Sequence, residues 1–555
     1  MHNVGINSNG GAPPLRFRFL PERLKQVHND SKTWMVGKWH VGYSWRRYTP
    51  TYRGFDGFFG YYNGDEDYYN HTFPTGNAAV KNGRCHVRAV DYNNNTQDTL
   101  LTLADEFRGK YSARTFAAEV VRIINAHNIS NPLFLYVPMQ SVHGPWEAPA
   151  ESIAVHTDPG TPHYINDTKR QVYAGMLGEL DAAVANITTA LRQRGLWHNR
   201  TLFVVTSDNG GPGQGGSPPN NCYSGYAPGS YDCKVALRGG KATLWEGGVR
   251  VLGFLTSPGI PVERRGGSWS GIAHASDWMP SYVKWFGGDW PPPNFPDDPR
   301  GEPMPFDGHD ILPAVFADSD SPRNEVVLAV INQYNPPGFP QGPMSHQGFP
   351  YSCAASSFCG GALRRGPFKL LVGYPGWHQL YPYPNNTHLP LETNFSICRD
   401  YCLFNVEVDP SESQDLSRDP THTAVIRSML DRFWNLSNAS GGFKADEPFS
   451  GAQCPLVVSS GAWQPLDHNN SARTTLQTKP GRGGCGGEQN LIFSGKGYQS
   501  LYSVVSECRG LRNCVYFIWS QDAGQAWFCT VDGFDEDSHP EKYPHWTVGH
   551  FVSTR

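Results

Sequence analysis

The sequence predicts an α/β fold, a mostly parallel sheet sandwiched by helices, followed by a small antiparallel subdomain and a cysteine-rich tail. Three observations carry this. Apolar runs at 134–139 and 202–206 flank a helical pattern over 168–193, the strand–helix–strand rhythm of a parallel sheet. From about residue 325 the pattern shifts to short β-type runs, such as Val326-Val327-Leu328-Ala329-Val330 and Phe368-Lys369-Leu370-Leu371-Val372. Cys398, Cys402, Cys485, Cys508, Cys514 and Cys529 crowd the last third.

In chain order, Trp34-Met35-Val36 reads as a strand with Gly37-Lys38-Trp39-His40 just past its end, and alternation would put Lys38 and His40 on one face. Phe134 to Met139 is a buried strand ending at a loop. In the helix over 168–193, Val172, Met176, Leu177, Leu180, Val184 and Ile187 recur at helical spacing. Leu202 to Thr206 is a second buried strand, broken by Ser207-Asp208-Asn209-Gly210-Gly211. In parallel sheets ligands gather beyond the carboxyl ends of the strands, so the loops after Met139 and Thr206 are the first places to look. Residues 210–235 form a Gly/Pro/Ser/Asn-rich surface loop containing Cys222 and Cys233, and 285–305 a Pro-rich loop. A Gly/Ser/Asn-rich stretch near 435–490 reads as a linker. The expected division is a catalytic domain over 1–325, an antiparallel subdomain over 326–450 and a tail module over 485–555.

Bulk properties narrow the function. The chain has 555 residues, too many for one ordinary core. Lys and Arg total 46 against 50 Asp and Glu, and no basic tail or stripe is present, which argues against nucleic acid as the partner. No apolar run approaches the roughly 20 residues of a membrane span. The twelve cysteines form no CxxC pair, so a disulfide framework fits better than zinc. Asn29, Asn70, Asn128, Asn166, Asn186, Asn199, Asn394 and Asn435 each begin an N-x-S/T sequon, which favours the secretory route. Met1-His2-Asn3-Val4-Gly5 has neither the charged nor the apolar region of a signal peptide.

Four polar clusters carry chemistry. They are Lys38 with His40, His143 after the strand ending at Met139, Asp208 with Asn209, and Lys241 in Leu237-Arg238-Gly239-Gly240-Lys241. Asp208 and the Asn209 carbonyl are hard oxygen donors suited to calcium or magnesium. Lys38 and Lys241 can neutralise charge on a transferring sulfuryl or phosphoryl group. His40 and His143 can serve as base and acid. Taken singly, each has a plainer reading: a turn at Asp208-Asn209, a hydrogen-bonded structural histidine, a solvated lysine.

Gly37-Lys38-Trp39-His40-Val41-Gly42 resembles the second signature of the sulfatase family. Arg53-Gly54-Phe55-Asp56-Gly57-Phe58-Phe59-Gly60 and Gly64-Asp65-Glu66-Asp67-Tyr68-Tyr69 are similar to its arylsulfatase B branch. Gln140-Ser141-Val142-His143-Gly144-Pro145, Ser207 to Gly211, Leu237 to Lys241 and Trp245-Glu246-Gly247-Gly248-Val249-Arg250 match in order. Cys402-Leu403-Phe404-Asn405, Asp409-Pro410-Ser411-Glu412 and Asp415-Leu416 resemble its C-terminal subdomain, so the similarity runs over roughly 20–435. The resemblance implies an alkaline-phosphatase-like fold, a calcium ion and a formylglycine nucleophile made from the cysteine of a Cys-x-Pro-x-Arg motif. It implies that Lys38 contacts the sulfate or the nucleophile and that His40 takes the proton that lets the sulfated intermediate collapse. His143 and Lys241 would serve the ester oxygen and leaving group, and Asp208 and Asn209 would be two calcium ligands. The substrate class is a sulfated small molecule or glycan. A phosphoesterase with a Ser or Thr nucleophile is the related alternative, disfavoured by the Arg53–Gly60 and Asp67–Tyr69 motifs.

One departure is large. Neither Cys-x-Pro-x-Arg nor its Ser version occurs anywhere, and the family's paired N-terminal Asp ligands are missing as well. A truncated gene model or alternative start accounts for these absences together with the missing signal peptide. The other reading is a pseudoenzyme that binds sulfated glycans without cleaving them. In the tail, Cys508-Arg509-Gly510-Leu511-Arg512-Asn513-Cys514 with Trp527-Phe528-Cys529 resembles a PAN/apple module, which would bind protein or carbohydrate. The alternative there is a disulfide-pinned extension without a ligand.

Overall fold

The computed structural model describes residues 12–439 except positions 14, 16, 44–45, 73–90, 97–99, 103–105, 199, 212–236, 242, 292–306, 332–359, 374 and 376–400, and beyond 439 only seven short strands. The loop with Cys222 and Cys233 and most of the Pro-rich loop lie outside the described residues. Helix α1 (Leu20–Val27) leads into β1 (Lys32–Lys38), β2 (Gly57–Tyr61), β3 (Asn93–Asn95), β4 (Leu100–Thr102), α2 (Ser112–Ala126) and β5 (Leu133–Tyr136). The five strands form one sheet in the order β4–β3–β2–β1–β5. β1 runs parallel to both β2 and β5, whereas β3 and β4 add antiparallel at the far edge, so the sheet is mixed. Gly37 and Gly60, each one residue before the end of its strand, allow close strand approach. A Cβ on Gly37 would meet the Pro138 carbonyl oxygen at 2.1 Å, and one on Gly60 would meet that of Gly37 at 2.0 Å.

Strand alternation divides the apolar residues between two faces. Val36, Phe59 and Tyr61 pack against Phe116, Val120, Ile123 and Ile124 of α2. Met35, Phe58 and Tyr62 join Trp39, Tyr43 and Phe55 on the other side, where Phe19 also packs. Each large side chain buried this way contributes about 1.5–3 kcal/mol.

Helix α3 (Ala150–Ala154) precedes α4 (Thr168–Gln193), whose bounds match the sequence reading. Asp167 caps α4 by accepting from the Arg170 amide at 2.8 Å, and Gly195, with φ of 69°, ends it in the left-handed conformation. Met176, Glu179, Ala183, Ile187 and Ala190 form its buried seam. Leu177, expected on that face, is 51% exposed, because one residue is a turn of about 100° round the helix from Met176.

β6 (Phe203–Thr206), α5 (Glu246–Val249) and β7 (Gly253–Thr256) follow, with β6 and β7 paired antiparallel apart from the first sheet. Tyr136 at the end of β5, Leu252 just before β7 and Phe254 in β7 are 46, 49 and 49% exposed. Helices α6 (Trp278–Trp285) and α7 (Leu312–Ala317) complete this part.

β8 (Glu325–Ile331), β9 (Gly360–Arg365), β10 (Phe368–Val372) and β11 (Tyr401–Asn405) form an antiparallel sheet in the order β11–β10–β9–β8. Helix α8 (Thr423–Ala439) buries Ile426, Met429, Leu430 and Phe433 on one face of it, against Leu363, Leu370 and Leu403. The other face presents Ala362, Leu371 and Phe404 to Trp245, so this sheet backs the loop that bears Lys241. α8 also occupies the start of the stretch read as a linker, since Ile426, Met429 and Phe433 extend its apolar seam.

Beyond 439, β12 (Leu456–Val457) pairs with β13 (Trp463–Gln464). β14 (Thr474–Pro480), β15 (Leu491–Lys496), β16 (Tyr516–Ser520), β17 (Gln525–Cys529) and β18 (Trp546–Ser553) form a five-stranded antiparallel sheet in the order β14–β18–β16–β17–β15. Three of these strands fall within the expected linker. Cys508 and Cys514 lie outside the described residues.

Candidate active site

Lys38 is the last residue of β1, and its amide donates to the Pro138 carbonyl at 2.9 Å. His40 follows in the left-handed region with φ of 50°, its amide donating to Tyr62 O at 3.0 Å. That backbone reversal, rather than strand alternation, aims the imidazole. Gly64 lies against the ring, since a Cβ there would sit 2.7 Å from His40 Nε2.

His143 sits on the loop after β5. Its amide donates to Gln140 O at 2.9 Å, and the Gln140 side chain is held by Ser112 Oγ and by the Glu66 carbonyl. Tyr68 OH donates to His143 O at 2.9 Å, and Tyr68 N donates to Glu147 Oε2 at 2.9 Å.

Two further loops are laced together. Lys241 N donates to Gly211 O at 2.7 Å, Gly210 N to Gly248 O at 3.0 Å, and Gly247 N to Arg238 O at 2.8 Å. This carries Lys241 Nζ to 3.0 Å from His143 Nε2, across 98 residues of sequence. The Gly144 carbonyl lies 2.8 Å from His143 Nδ1. A carbonyl only accepts, so Nδ1 holds the ring proton and Nε2 accepts from the Lys241 ammonium.

The charges of these segments act on one another. Burial pulls the Lys38 ammonium below its ordinary value; Asp208 resists and Lys241 adds to the fall. Burial, then Lys38, Lys241 and His143, push the His40 imidazole down to about 4. Burial also lowers His143, against the pull of the Gly144 carbonyl. Both rings are therefore neutral at pH 7, and a neutral imidazole can take a proton.

Asp208 is exposed beyond β6. Asn209 Nδ2 donates to Gly210 O at 2.8 Å, which leaves Asn209 Oδ1 without a role in that bond, and Ser207 Oγ donates to Asn209 O at 2.9 Å. Among the described residues no group of three or more His, Cys, Asp or Glu side chains could hold a metal ion. Calcium takes six to eight oxygens, so the described residues do not by themselves make a calcium site.

Lys38, His40, His143, Lys241 and Asp208 are thus gathered from four segments, with Asn209 adjacent. Asp65 is the member that sequence reasoning passed over. Burial raises its carboxyl, opposed by His143, Lys38 and Lys241. It stands in a run of three acids, Asp65-Glu66-Asp67, and nothing in such a run says which one turns inward. A cleft of about 750 Å³ against α8, lined by Arg365, Arg427 and Arg432, contains none of these residues. Convergent chemistry, not concavity, marks the site.

The family model for sulfatase matches residues 1–288. The chain is 30% identical over 479 residues to arylsulfatase J of Mus musculus, covering 84% of this chain and 69% of that protein. It is 27% identical over 334 residues to arylsulfatase A of Homo sapiens and 25% over 241 residues to an arylsulfatase of Klebsiella aerogenes, and spans 56% and 49% of their lengths. Among solved structures, Ps i-CgsB in complex with k-i-k-neocarrahexaose aligns with a TM-score of 0.53 at 19% identity, over 81% of this chain and 80% of that one. Ps i-CgsB alone aligns at 0.51 and 21%, over 79% and 77%. These two likenesses bear on the fold, which is the alkaline-phosphatase-like α/β arrangement with a separate antiparallel sheet.

Proposed function

Because the chain belongs to the sulfatase family, we propose that it is built to cleave sulfate esters of sugars or glycans, within the arylsulfatase B branch. The observation that carries this is the Lys241–His143 contact of 3.0 Å inside a cluster with Lys38 and His40. The Arg53–Gly60 and Asp67–Tyr69 motifs support the branch. In this reading Lys38 neutralises the sulfate and His40, neutral at pH 7, takes the proton whose loss lets a sulfated intermediate collapse. Lys241 places its positive charge at the ester oxygen, where negative charge grows as the S–O bond breaks. His143 Nε2 accepts from the Lys241 ammonium and so holds it in place, and a Lys241 N–H supplies the proton that the departing oxygen takes up.

Asp208 and Asn209 would give calcium two of its ligands, and bound calcium would supply charge at the sulfate oxygens. With the remaining ligands not among the described residues, no step above passes through it. A second reading, a non-catalytic binder of sulfated glycans, is favoured by one observation: no Cys-x-Pro-x-Arg motif occurs in the 555 residues. Both readings predict that this chain binds 4-nitrophenyl sulfate and that Lys241→Ala weakens binding tenfold or more. Calorimetric titration checks this, and unchanged binding would remove the site. Turnover by the 555-residue chain well above a His143→Ala control would exclude the binder.

The secretory assignment, lysosomal or extracellular, has its own support. Asn29, Asn70, Asn128, Asn166, Asn186 and Asn435 are all exposed, as sequons require, and Cys402 is disulfide-bonded. No helix among the described residues is long and apolar enough to cross a membrane. We retain the division at 325, supported by the start of the antiparallel sheet at Glu325, and a carbohydrate or protein ligand for a PAN/apple-like module at 485–555.

A further inference from the structure

Asp65 stands out because a carboxylate does not belong in a pocket for an anion: it repels sulfate. Its place is nevertheless well defined. On one side Gly64 lies against His40. On the other, the Glu66 carbonyl accepts from Gln140 of the His143 loop, and Tyr68 OH donates to His143 O at 2.9 Å. The 64–68 segment therefore runs along the His143 loop, with Asp65 between the two histidine-bearing strand ends. The charged groups that act on it are His143, Lys38 and Lys241. In the proposed reading His143 and Lys241 serve the leaving group, so Asp65 stands with the groups of that side. Asp65 is only half-buried, and among the described residues no hydrogen bond is found to its carboxylate.

A carboxylate is an acceptor only. On the leaving-group side, the donors an ester of a sugar presents are the hydroxyls beside the sulfated carbon, and a nitrophenyl ester has none. We propose that Asp65 accepts a hydrogen bond from a hydroxyl adjacent to the sulfate, and so makes the site selective for sulfated sugars over aryl sulfates. Asp65 is a specificity-determining residue in this account, and the inference rests on the sulfate-ester reading of the site.

The two influences of Asp65 have opposite signs, which gives the test its edge. The full 555-residue chain and its Asp65→Ala, Asp65→Asn and Lys241→Ala variants are titrated calorimetrically with glucose 3-sulfate and with 4-nitrophenyl sulfate, folding being checked by circular dichroism. A hydrogen bond to a charged group typically accounts for at least a tenfold difference in affinity. Asp65→Ala is expected to weaken glucose 3-sulfate about tenfold and to tighten 4-nitrophenyl sulfate a few-fold, because the repulsion is gone. Asp65→Asn keeps an acceptor oxygen without the charge, so it should recover part of the sugar affinity while retaining the aryl gain. Shifts of the same sign with both ligands, or no shift with either, overturn the inference. So does a loss of calcium affinity in Asp65→Ala, which would make Asp65 a metal ligand. If the wild-type chain binds neither ester, or Lys241→Ala binds both as the wild type does, the sulfate site itself fails and the inference with it.

Discussion

Lys38 and Lys369 are both withdrawn from water, and their surroundings treat them in opposite ways. Lys369, the second residue of β10, is fully buried with Glu246 Oε1 at 2.8 Å and Glu412 Oε1 at 2.9 Å. Burial pulls its ammonium down, yet Glu412 and Glu246 together hold it above its ordinary value. Lys38 falls below its ordinary value, because burial with Lys241 beside it outweighs Asp208 and Asp65. One lysine is already neutralised by its own chain. The other is left short of negative charge, as a lysine that awaits an anion must be. The difference is the one expected between a cation that serves the fold and, in the proposed reading, one that meets a substrate.

Lys369 also explains how the functional group is held. Glu246 lies five residues beyond Lys241, and Glu412 Oε2 accepts from the Glu246 amide at 2.7 Å. The triad pins the Lys241 loop to the antiparallel sheet, and Trp245 fills the apolar contact beside it.

The comparison can be broken by removing charge from each side. The largest effect is expected for Lys369→Met, which leaves two carboxylates buried without a cation. Denaturant unfolding should show a loss of about 3–5 kcal/mol. A loss below about 1 kcal/mol would mean that the triad is not a structural ion pair. Glu412→Gln serves as its counterpart, because burial opposed by Lys369 already pushes the Glu412 carboxyl up to about 7, and the variant leaves a balanced Lys369–Glu246 pair. It should stay within about 1 kcal/mol of the wild type.

Lys38→Met is expected to leave stability unchanged or slightly raised while abolishing measurable binding of 4-nitrophenyl sulfate. A stability loss matching that of Lys369→Met would erase the distinction between the two lysines.

The smallest effect is a pH dependence. His40, at about 4 in the folded chain against 6.5 when unfolded, binds its proton less readily when folded. Between those values the unfolded chain holds more protons, so stability should fall as pH drops from 6.5 toward 4. Its contribution is damped by partial exposure. His40→Gln should flatten part of that slope in thermal melts taken across this window, and an unaltered slope would show that His40 is not depressed.

Much of the frame was legible in the chain. The helix over 168–193 was readable because its apolar residues recur at helical spacing, and the structure adds the Asp167 cap and the left-handed Gly195 that close its two ends. The strands at 34–36, 134–139 and 202–206 were readable as apolar runs that end in polar loops. Those loops also named Lys38, His143 and Asp208, because a polar motif at a strand end is a local pattern. Leu177 and His40 show the limit. The first is apolar at a position where the helix turns away from the core, and the second is aimed by a left-handed residue that alternation cannot foresee.

The sequence by itself determined the fold class, the family and the short motifs, since each depends on residues close together in the chain. Only the tertiary structure decided which groups meet. The Lys241–His143 contact spans 98 residues and the Lys369–Glu246 pair 123. Asp65 entered the site, and Glu66 beside it went into the core, through the path of the chain rather than through any difference in residue type. Charge acts through distance and burial, and neither is written in the order of the residues.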